Sequence, residues 1–178
     1  NNIDEEIEKT QCIILSPTRE LAEQTHLFIK EISKYTKVTS EKVVGGTNVR
    51  DCQKALEQNP HVVVGTPGRI IDMIRRNSLY TDGIKNFVID EADEMLSHGF
   101  IDSIKEIFNY LSKETIIYLF SATIPDEILS LTLKFMNEPE KILVKKENLT
   151  LEGISQYYIN VNQHSLSNLM EFSVLHIP

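Results

Sequence analysis

The sequence predicts an α/β fold in which a mostly parallel sheet carries helices on both faces. Short β-branched runs alternate along the chain with stretches whose apolar residues recur at helical spacing. Most of the runs are almost continuously apolar, which is typical of parallel strands that are buried on both sides. Strands that alternate with helices in this way indicate βαβ units.

Six runs are the predicted strands: CIIL (12–15), VTSEKVV (38–44), HVVVG (61–65), NFVID (86–90), TIIYLF (115–120) and KILV (141–144). The predicted helices lie at 20–34, 48–58, 68–77, 101–111 and 126–136. In the first helix we expect Leu21, Phe28 and Ile32 to share one face. The last helix has a clear start, because Pro125 fixes φ and the two acids after it suit the positive end of the helix dipole.

The composition indicates an ordinary folded protein. The 178 residues are enough for one domain and part of another, and a hydrophobic content of 41% supports a sizeable core. No apolar run approaches the roughly 20 residues of a membrane span, and the acidic start does not resemble a signal peptide. We therefore expect a cytoplasmic protein, with a nuclear location as the alternative and no membrane partner.

Charge and cysteine content narrow the functional classes. The net charge of −8 provides no broad basic face, so any nucleic acid must be held locally by a few arginines and backbone amides. The two cysteines, Cys12 and Cys52, are too few for a disulfide framework. Cys12 lies in an apolar run, so we expect it to be a small buried hydrophobe rather than a redox or metal-binding residue.

Four predicted strands end in residues that a simple turn does not require. The endings are Ser-Pro-Thr-Arg (16–19), Gly-Thr-Pro-Gly-Arg (65–69), Asp-Glu-Ala-Asp (90–93) and Ser-Ala-Thr (121–123). In a parallel sheet these ends lie along one edge, and this is the edge at which α/β proteins bind ligands. The sequence therefore predicts a functional site there.

The acidic ending has two interpretations. Asp90 can hold Mg²⁺ directly or through water, since Mg²⁺ prefers one or two carboxylates together with substrate phosphates. Glu91 can then orient or deprotonate a water for attack on a phosphoryl group. Alternatively, Asp90 caps a helix and Glu91 lies in its first turn, where acids are favoured. This stretch alone leaves both interpretations open.

Several segments along the same edge can contact anions. Gly68 lies near a predicted helix start, where free N–H groups and the dipole favour a negative charge. Arg69 adds a bidentate donor, unless it pairs with Asp72 on its own helix. Thr18-Arg19 repeats the arrangement, and Gly45-Gly46 offers flexible backbone. Each segment alone is ordinary turn chemistry, but together they predict a row of contacts that suits a nucleic-acid backbone.

The complete set of motifs resembles the DEAD-box RNA helicase family. PTRELAEQ, GG, TPGR, DEAD and SAT occur in the family's order and spacing, and the resemblance extends over residues 11–161. Within the family, four stretches are similar to the translation initiation factor 4A branch, which includes its exon-junction paralogue. These stretches are GGTNVR (45–50), VIDEADEML (88–96), KFMNEP (134–139) and ILVKKENLTLEGISQYYINV (142–161).

The resemblance implies a RecA-like fold, ATP and Mg²⁺ as cofactors, and a role for each motif. Asp90 would bind Mg²⁺, and Glu91 would activate the attacking water. Asp93 would hydrogen-bond Ser121 and Thr123, on either side of Ala122, and so link nucleotide state to domain closure. The sugar-phosphate backbone of RNA would be contacted independently of base sequence by Pro17, Thr18, Arg19, Gly45, Gly46, Thr66, Pro67, Gly68 and Arg69.

Two features depart from the family pattern. The phosphate-binding loop G-x-x-x-x-G-K-[ST] is expected one strand and one helix before CIIL, and it does not occur in the sequence; Lys9 lacks the accompanying glycines. The stretch 162–178 has no tryptophan and little charge, which leaves the paralogue open. We therefore expect a chain that begins after the phosphate loop and has no ATPase activity by itself.

The expected organisation is an incomplete RecA-like domain at 1–145, a linker at 146–153 and the start of a second RecA-like domain at 154–178. The last part would contain a strand at 154–161 and a short helix at 166–172. The resemblance implies an ATP-dependent RNA helicase that unwinds RNA locally in translation initiation. The alternatives are an ATP-gated RNA clamp or scaffold and a catalytically inactive fragment. The expected partners are RNA and translation initiation scaffold proteins, and the expected state is a monomer.

Overall fold

A computed structural model of the protein describes residues 3–136 and 138–142. It contains five strands in this part of the chain: β1 (Cys12–Leu15), β2 (Ser40–Val43), β3 (Val62–Gly65), β4 (Asn86–Ile89) and β5 (Ile116–Leu119). Its helices are α1 (Arg19–Ile32), α2 (Val49–Leu56), α3 (Pro67–Arg75), α4 (Ala92–Ser97), α5 (Ile101–Tyr110) and α6 (Asp126–Phe135).

All the described strands form one parallel sheet in the order β2-β3-β1-β4-β5. Each strand except the last is followed along the chain by a helix that crosses over to the next strand, so the βαβ prediction is confirmed. The register aligns Leu15 of β1 with Gly65 of β3 and with Ile89 of β4. The carboxyl ends of the strands therefore lie level along one edge, which positions the residues that follow them.

Two apolar layers cover the sheet. On one face, Ile13 and Phe87 pack with residues from α2, α3, α5 and α6 in the larger core, and Phe108 meets Phe87 edge to face at 5.3 Å between ring centroids. On the other face, Ile14 and Val64 pack against Ala22 of α1. Helices on both faces exclude water from the central strands, as their continuous apolar sequences predict.

The face of α1 that carries Leu21, Phe28 and Ile32 is not the face that is buried against the sheet. Phe28 and Ile32 are 63% and 60% exposed, whereas Ala22 and His26 are buried. The small alanine lets the helix approach the sheet closely. His26 tolerates burial because its Nε2 lies 3.0 Å from the carbonyl oxygen of Ser40. Within the described part of the protein, Leu27, Phe28 and Ile32 of α1 are exposed, whereas Ile29 packs against the smaller core.

Strand β5 departs from the expectation of burial on both faces. Ile116, Tyr118 and Phe120 are 51%, 37% and 57% exposed, while Ile117 and Leu119 pack against the larger core. Residues 141–142 are not in a strand, and the rest of the predicted strand 141–144 lies outside the described residues. The predicted linker and second-domain fragment also lie outside them. None of the described helices is long and apolar enough to cross a membrane.

Candidate functional site

The four segments that were singled out at strand ends lie at the carboxyl ends of four neighbouring strands, β3, β1, β4 and β5. Backbone hydrogen bonds join the ends to one another. The N–H of Ser16 donates to Gly65, that of Asp90 to Leu15, and that of Phe120 to Ile89. The residues singled out in the sequence therefore lie along one continuous edge, as the parallel sheet predicted.

A strained turn presents the two acids of the DEAD motif. Glu91 has φ 55° and ψ 54°, in the left-handed region that residues other than glycine rarely adopt. The turn is held on both sides, because the N–H of Ala92 donates to Phe120 O (3.0 Å) and the N–H of Met95 donates to Glu91 O (3.1 Å). Strain that the surroundings maintain in this way is characteristic of functional sites.

The helix-capping interpretation of these acids does not fit the structure. Helix α4 begins at Ala92, so Glu91 is its N-cap, and Glu91 makes no side-chain cap hydrogen bond. Asp90 lies outside the helix. Neither carboxylate accepts a hydrogen bond or forms an ion pair with the described residues. The carboxylates of Asp90 and Glu91 are therefore half-buried groups without a structural role in this part of the chain.

The donor set fits a magnesium ion that arrives with a nucleotide. The described residues contain no group of three or more His, Cys, Asp or Glu side chains able to hold a metal ion. A protein cage is therefore absent from residues 3–136 and 138–142. Mg²⁺ commonly takes only one or two carboxylates and completes its shell with water and phosphate oxygens. Asp90, half-buried at the end of β4, is suited to that arrangement.

Asp93 links the acidic turn to the segment after β5. Its Oδ2 accepts hydrogen bonds from the N–H of Thr123 (2.9 Å) and from its Oγ1 (2.8 Å). Its backbone N–H donates to Ser121 Oγ (3.2 Å), and that hydroxyl donates to Thr123 O (2.6 Å). The predicted contact of Asp93 with Ser121 and Thr123 is confirmed. Ala122, between them, is exposed.

The hydrogen bonds also set the charge state of Asp93. Partial burial of the carboxyl acts to raise its pKa, but the hydrogen bonds from Thr123 outweigh that effect and leave the pKa below the ordinary aspartate value. Asp93 is therefore ionised at neutral pH and is a strong acceptor for the Thr123 donors.

The loop Gly45–Gly46–Thr47, here called the GGT loop, holds together the segments predicted to bind RNA. The N–H of Gly45 donates to Thr66 Oγ1 (3.1 Å). Gly46 has φ 77°, and a Cβ there would lie 2.4 Å from Cζ of Arg19, so the guanidinium lies directly over this glycine. Only glycine combines that backbone conformation with so close an approach.

Arg69 is fixed against the GGT loop and is not paired with an acid. Its Nη1 donates to Thr47 Oγ1 (3.2 Å) and to Cys52 Sγ (3.1 Å), and its Nη2 donates to Thr47 O (3.0 Å). Asp72, its alternative partner, pairs with Arg76 at 2.8 Å. Three of the five guanidinium N–H groups are used in these bonds. The Nε–H and one N–H on Nη2 remain available, and together they can donate to a phosphate.

The start of α3 adds a backbone donor next to Arg69. Thr66 is the N-cap of α3, but its hydroxyl accepts the hydrogen bond from the N–H of Gly45 and makes no capping hydrogen bond to the helix. Pro67 is in the first turn and has no N–H. The N–H of Gly68 has no partner within the helix, and Gly68 is exposed, so this end of α3 is open to an anion.

Helix α1 begins differently. Thr18 Oγ1 accepts from the N–H of Leu21 at 3.2 Å, which is an ordinary N-cap. Pro17 before it is buried, whereas Arg19 after it is exposed. At this segment, therefore, Thr18 caps the helix, and the exposed Arg19 guanidinium is the group that can donate to a ligand.

These residues surround a cavity of about 530 Å³. It is lined by Pro17, Thr18, Arg19, Glu20, Gly45, Thr66, Gly68, Arg69, Asp72, His98 and Phe100. We call it the rim cavity. Seven of the nine residues that the sequence predicted for RNA binding line it, and the other two, Gly46 and Pro67, lie beside it.

The sequence did not indicate Thr47, Cys52, His98 or Phe100 as parts of the site. Thr47 follows GG directly, but only the structure shows that it binds Arg69. His98 and Phe100 follow α4 and meet edge to face with ring centroids 6.3 Å apart. Their place in the rim cavity depends on how α4 and α3 pack, which short motifs do not encode.

Comparison with known proteins identifies the family. The sequence model of the DEAD/DEAH box helicases matches residues 1–131. The chain belongs to the DEAD/DEAH box helicase family. The ATP-dependent RNA helicase eIF4A of Pyricularia oryzae is 50% identical over 174 residues, covering 95% of this chain and 44% of that protein. Eukaryotic initiation factor 4A-3 of Arabidopsis thaliana is 50% identical over 161 residues, covering 90% and 39%.

Solved structures of family members share the fold. A DEAD box protein from the hyperthermophile Methanococcus jannaschii has a TM-score of 0.77 at 39% identity, covering 96% of this chain and 46% of that one. A variant of S. cerevisiae Dbp5 bound to RNA and ADP BeF3 has a TM-score of 0.77 at 34% identity, covering 87% and 39%. The RecA-like fold is thus confirmed. The chain spans less than half the length of these helicases.

Proposed function

We propose that the protein acts as an ATP-dependent RNA helicase, coupling ATP binding and hydrolysis to local unwinding of RNA. The observation that carries the proposal is the connection of an acidic turn to an anion-binding rim along one sheet edge. Asp90 and Glu91 lie in that turn without side-chain partners among the described residues, and Arg19 and Arg69 lie on the rim. Ordinary turn and capping chemistry does not explain this arrangement.

Each acid has a distinct proposed role. Asp90 holds Mg²⁺, which neutralises charge on the nucleotide phosphates when it is bound. Glu91 orients the water that attacks the γ-phosphate and takes up its proton. The fixed left-handed backbone of Glu91 supports this role, because it sets the direction of the carboxylate before substrate arrives.

Asp93 is proposed to report the nucleotide state to the rest of the sheet edge. It lies three residues after Asp90 and is bound to Thr123 and Ser121. A displacement of the acidic turn must therefore either break these hydrogen bonds or move the segment after β5 with it. Coupling between two ligand sites requires a contact that responds to both sites, and the contact of Asp93 with Ser121 and Thr123 is suited to that role.

The rim cavity is proposed to bind single-stranded RNA through its sugar-phosphate backbone. Arg19, Arg69 and the amide of Gly68 supply the donors, and none of these groups reads a base edge. Binding is therefore independent of sequence, and the 2′-hydroxyls and backbone shape provide the recognition. Dbp5, a structural relative, is bound to RNA and ADP BeF3, which supports RNA and ATP as ligands here.

The 178-residue sequence is proposed to lack ATPase activity by itself. It contains no G-x-x-x-x-G-K-[ST] pattern, and hence no lysine with an amide cradle for the β- and γ-phosphates. Electrostatic positioning of those phosphates provides most of phosphoryl-transfer catalysis. Activity would then require segments that the relatives possess outside the matched region.

The biological setting is proposed from the relatives. Identity of 50% to eIF4A of Pyricularia oryzae supports translation initiation, a cytoplasmic location and scaffold proteins of initiation as partners. We propose that the protein is a monomer. The division into a domain at 1–145, a linker at 146–153 and the start of a second domain at 154–178 is also a proposal.

The decisive experiment is RNA-stimulated ATP hydrolysis by a chimera that joins this sequence to the flanking segments of the Arabidopsis relative. We expect hydrolysis that rises with RNA and is abolished by Glu91→Gln, which preserves the shape of the side chain. The 178-residue chain alone is the negative control. A chimera that binds ATP and RNA but turns over no faster than its Glu91→Gln variant would instead indicate an ATP-gated clamp.

A further inference from the structure

The rim cavity contains one polar side chain that neither its motifs nor its hydrogen bonds explain. His98 lines the cavity beside Arg19 and Arg69, and it is exposed. Its imidazole makes no hydrogen bond to the described residues, whereas its backbone N–H donates to Glu94 O (3.0 Å) at the end of α4. The ring nitrogens are therefore available to a ligand in the cavity.

Phe100 lies beside both His98 and the open end of α3. The two rings are perpendicular, with centroids 6.3 Å apart. Cε1 of Phe100 lies 4.0 Å from the position that a Cβ on Gly68 would occupy. His98 and Gly68 therefore line the same cavity, and the Gly68 N–H already favours an anion there.

The charges around His98 make its protonation consequential. The rim cavity is lined by two arginines and two acids, Glu20 and Asp72, and Glu94 lies one turn back on the helix of His98 itself. The formal charges of the lining side chains therefore cancel, and Asp72 is also paired with Arg76. A proton on His98 would make the lining net positive and so add a third cation to the cavity.

We propose that His98 is a further RNA-binding residue, which donates an N–H to a backbone phosphate at the rim and holds it more strongly when the imidazole is protonated. The inference rests on the proposed RNA-binding function and adds to it a pH-dependent contact. A protonated imidazole donates a charge-assisted hydrogen bond to phosphate, so the contact is stronger in the charged form of the side chain.

The test is the salt dependence of binding to an oligouridylate of about ten nucleotides, measured with the 178-residue chain at pH near 5.5 and near 8. A cation that neutralises one phosphate on a single strand adds about 0.7 to the slope of log affinity against log salt. For the wild type we expect the slope to be steeper by about that amount at the lower pH.

Two variants isolate His98. His98→Gln keeps a hydrogen-bonding side chain without a charge, and we expect a shallow slope at both pH values. His98→Arg carries a permanent cation, and we expect a steep slope at both. The other four histidines, His26, His61, His164 and His176, are unchanged in these variants, so they cannot account for a difference between them. Thermal unfolding checks that each variant is folded. This matters because His98 follows α4 directly, where a charge can also change the stability of the helix.

The outcomes separate the two proposals. Equal slopes for wild type and His98→Gln at both pH values, with RNA binding that Arg19→Ala weakens, would exclude His98 from the RNA site and leave the rim intact. An absence of any salt-dependent binding by the wild type would overturn both the His98 contact and the proposed RNA site.

Discussion

Asp93 Oδ2 accepts two hydrogen bonds from one residue, the N–H of Thr123 at 2.9 Å and its hydroxyl at 2.8 Å. The two residues follow neighbouring strands, β4 and β5, and are 30 positions apart in sequence. The contact therefore ties the turn that carries Asp90 and Glu91 to the far side of the described sheet edge. We propose this contact as the route by which a change at Asp90 and Glu91 is transmitted to the segment after β5.

The first prediction concerns coupling through this contact. In the active chimera, Ser121→Ala with Thr123→Ala should leave RNA-stimulated ATP hydrolysis largely intact while strand displacement falls, because the link from the acidic turn is cut. Ser130→Ala is a suitable control, since its hydroxyl donates only to Asp126 O within α6. Wild-type levels of both activities in the double variant would show that the contact has no coupling role.

The second prediction is a pH effect at Asp93. A carboxylate whose pKa is lowered on folding stabilises the fold above its unfolded pKa, about 3.9 for aspartate, and this stabilisation is lost as pH falls through the lower folded value. Thr123→Val removes the hydroxyl donor and should raise the pKa of Asp93. Carboxyl carbon shifts in an NMR titration measure the change, and an unmoved titration would contradict the assigned cause.

The third prediction contrasts two adjacent glycines. Gly46→Ala places a methyl group 2.4 Å from the Arg19 guanidinium carbon at φ 77°, so it should displace Arg19, weaken RNA binding and destabilise the fold by about 1 kcal/mol. Gly45→Ala is the matched control, because its nearest neighbour would be Thr66 Oγ1 at 3.9 Å. Binding to oligouridylate and chemical denaturation measure both effects. Similar behaviour of the two variants would contradict the proposed fit of Arg19 over Gly46.

The fourth prediction concerns Cys12. Burial within β1 raises the pKa of its thiol to about 12, so the reactive thiolate is scarce at neutral pH. In a Cys52→Ser background, alkylation of Cys12 in the folded protein should be far slower at pH near 8 than in denaturant. Mass spectrometry measures the extent of labelling. Equal rates in the folded and denatured protein would mean that Cys12 is not protected in the core.

The sequence was most informative where a motif ends a strand. Parallel strands bring their carboxyl ends to one edge whatever the side chains are, so alternation predicts that Asp93 and Thr123 share that edge. Their hydrogen bond was expected only from the family resemblance. The face of α1 could not, because Ala22 and His26 contact the sheet through small size and a carbonyl partner, and neither property appears in an apolar pattern. The positions of Thr47 and His98 in the site could not be predicted either, because they depend on how α3 packs against the GGT loop and α4.

The capping alternative at the acids could be decided only by backbone geometry. The capping interpretation places Asp90 at the N-cap of a helix and Glu91 in its first turn, whereas the magnesium interpretation makes no statement about a helix. The structure starts α4 at Ala92 and leaves Glu91 in a left-handed conformation. A strained residue is not visible in a sequence, since glutamate does not favour that conformation.

The central claim, a rim that holds RNA by its backbone, is tested most directly at Arg69. The measurement is the affinity of the 178-residue chain for oligouridylate and oligoadenylate at several salt concentrations, for wild type and Arg69→Ala. Arg75→Ala is the matched control, because Arg75 is the last residue of α3 and pairs with Glu106, which does not line the rim cavity. Binding by this chain alone should be weak, since its net charge is −8.

We predict that Arg69→Ala weakens both RNAs alike and lowers the slope of log affinity against log salt by about 0.7, whereas Arg75→Ala leaves the slope unchanged. A lower affinity with an unchanged slope would mean that Arg69 only braces the GGT loop through Thr47. An unchanged affinity, or a loss confined to one of the two RNAs, would contradict the account.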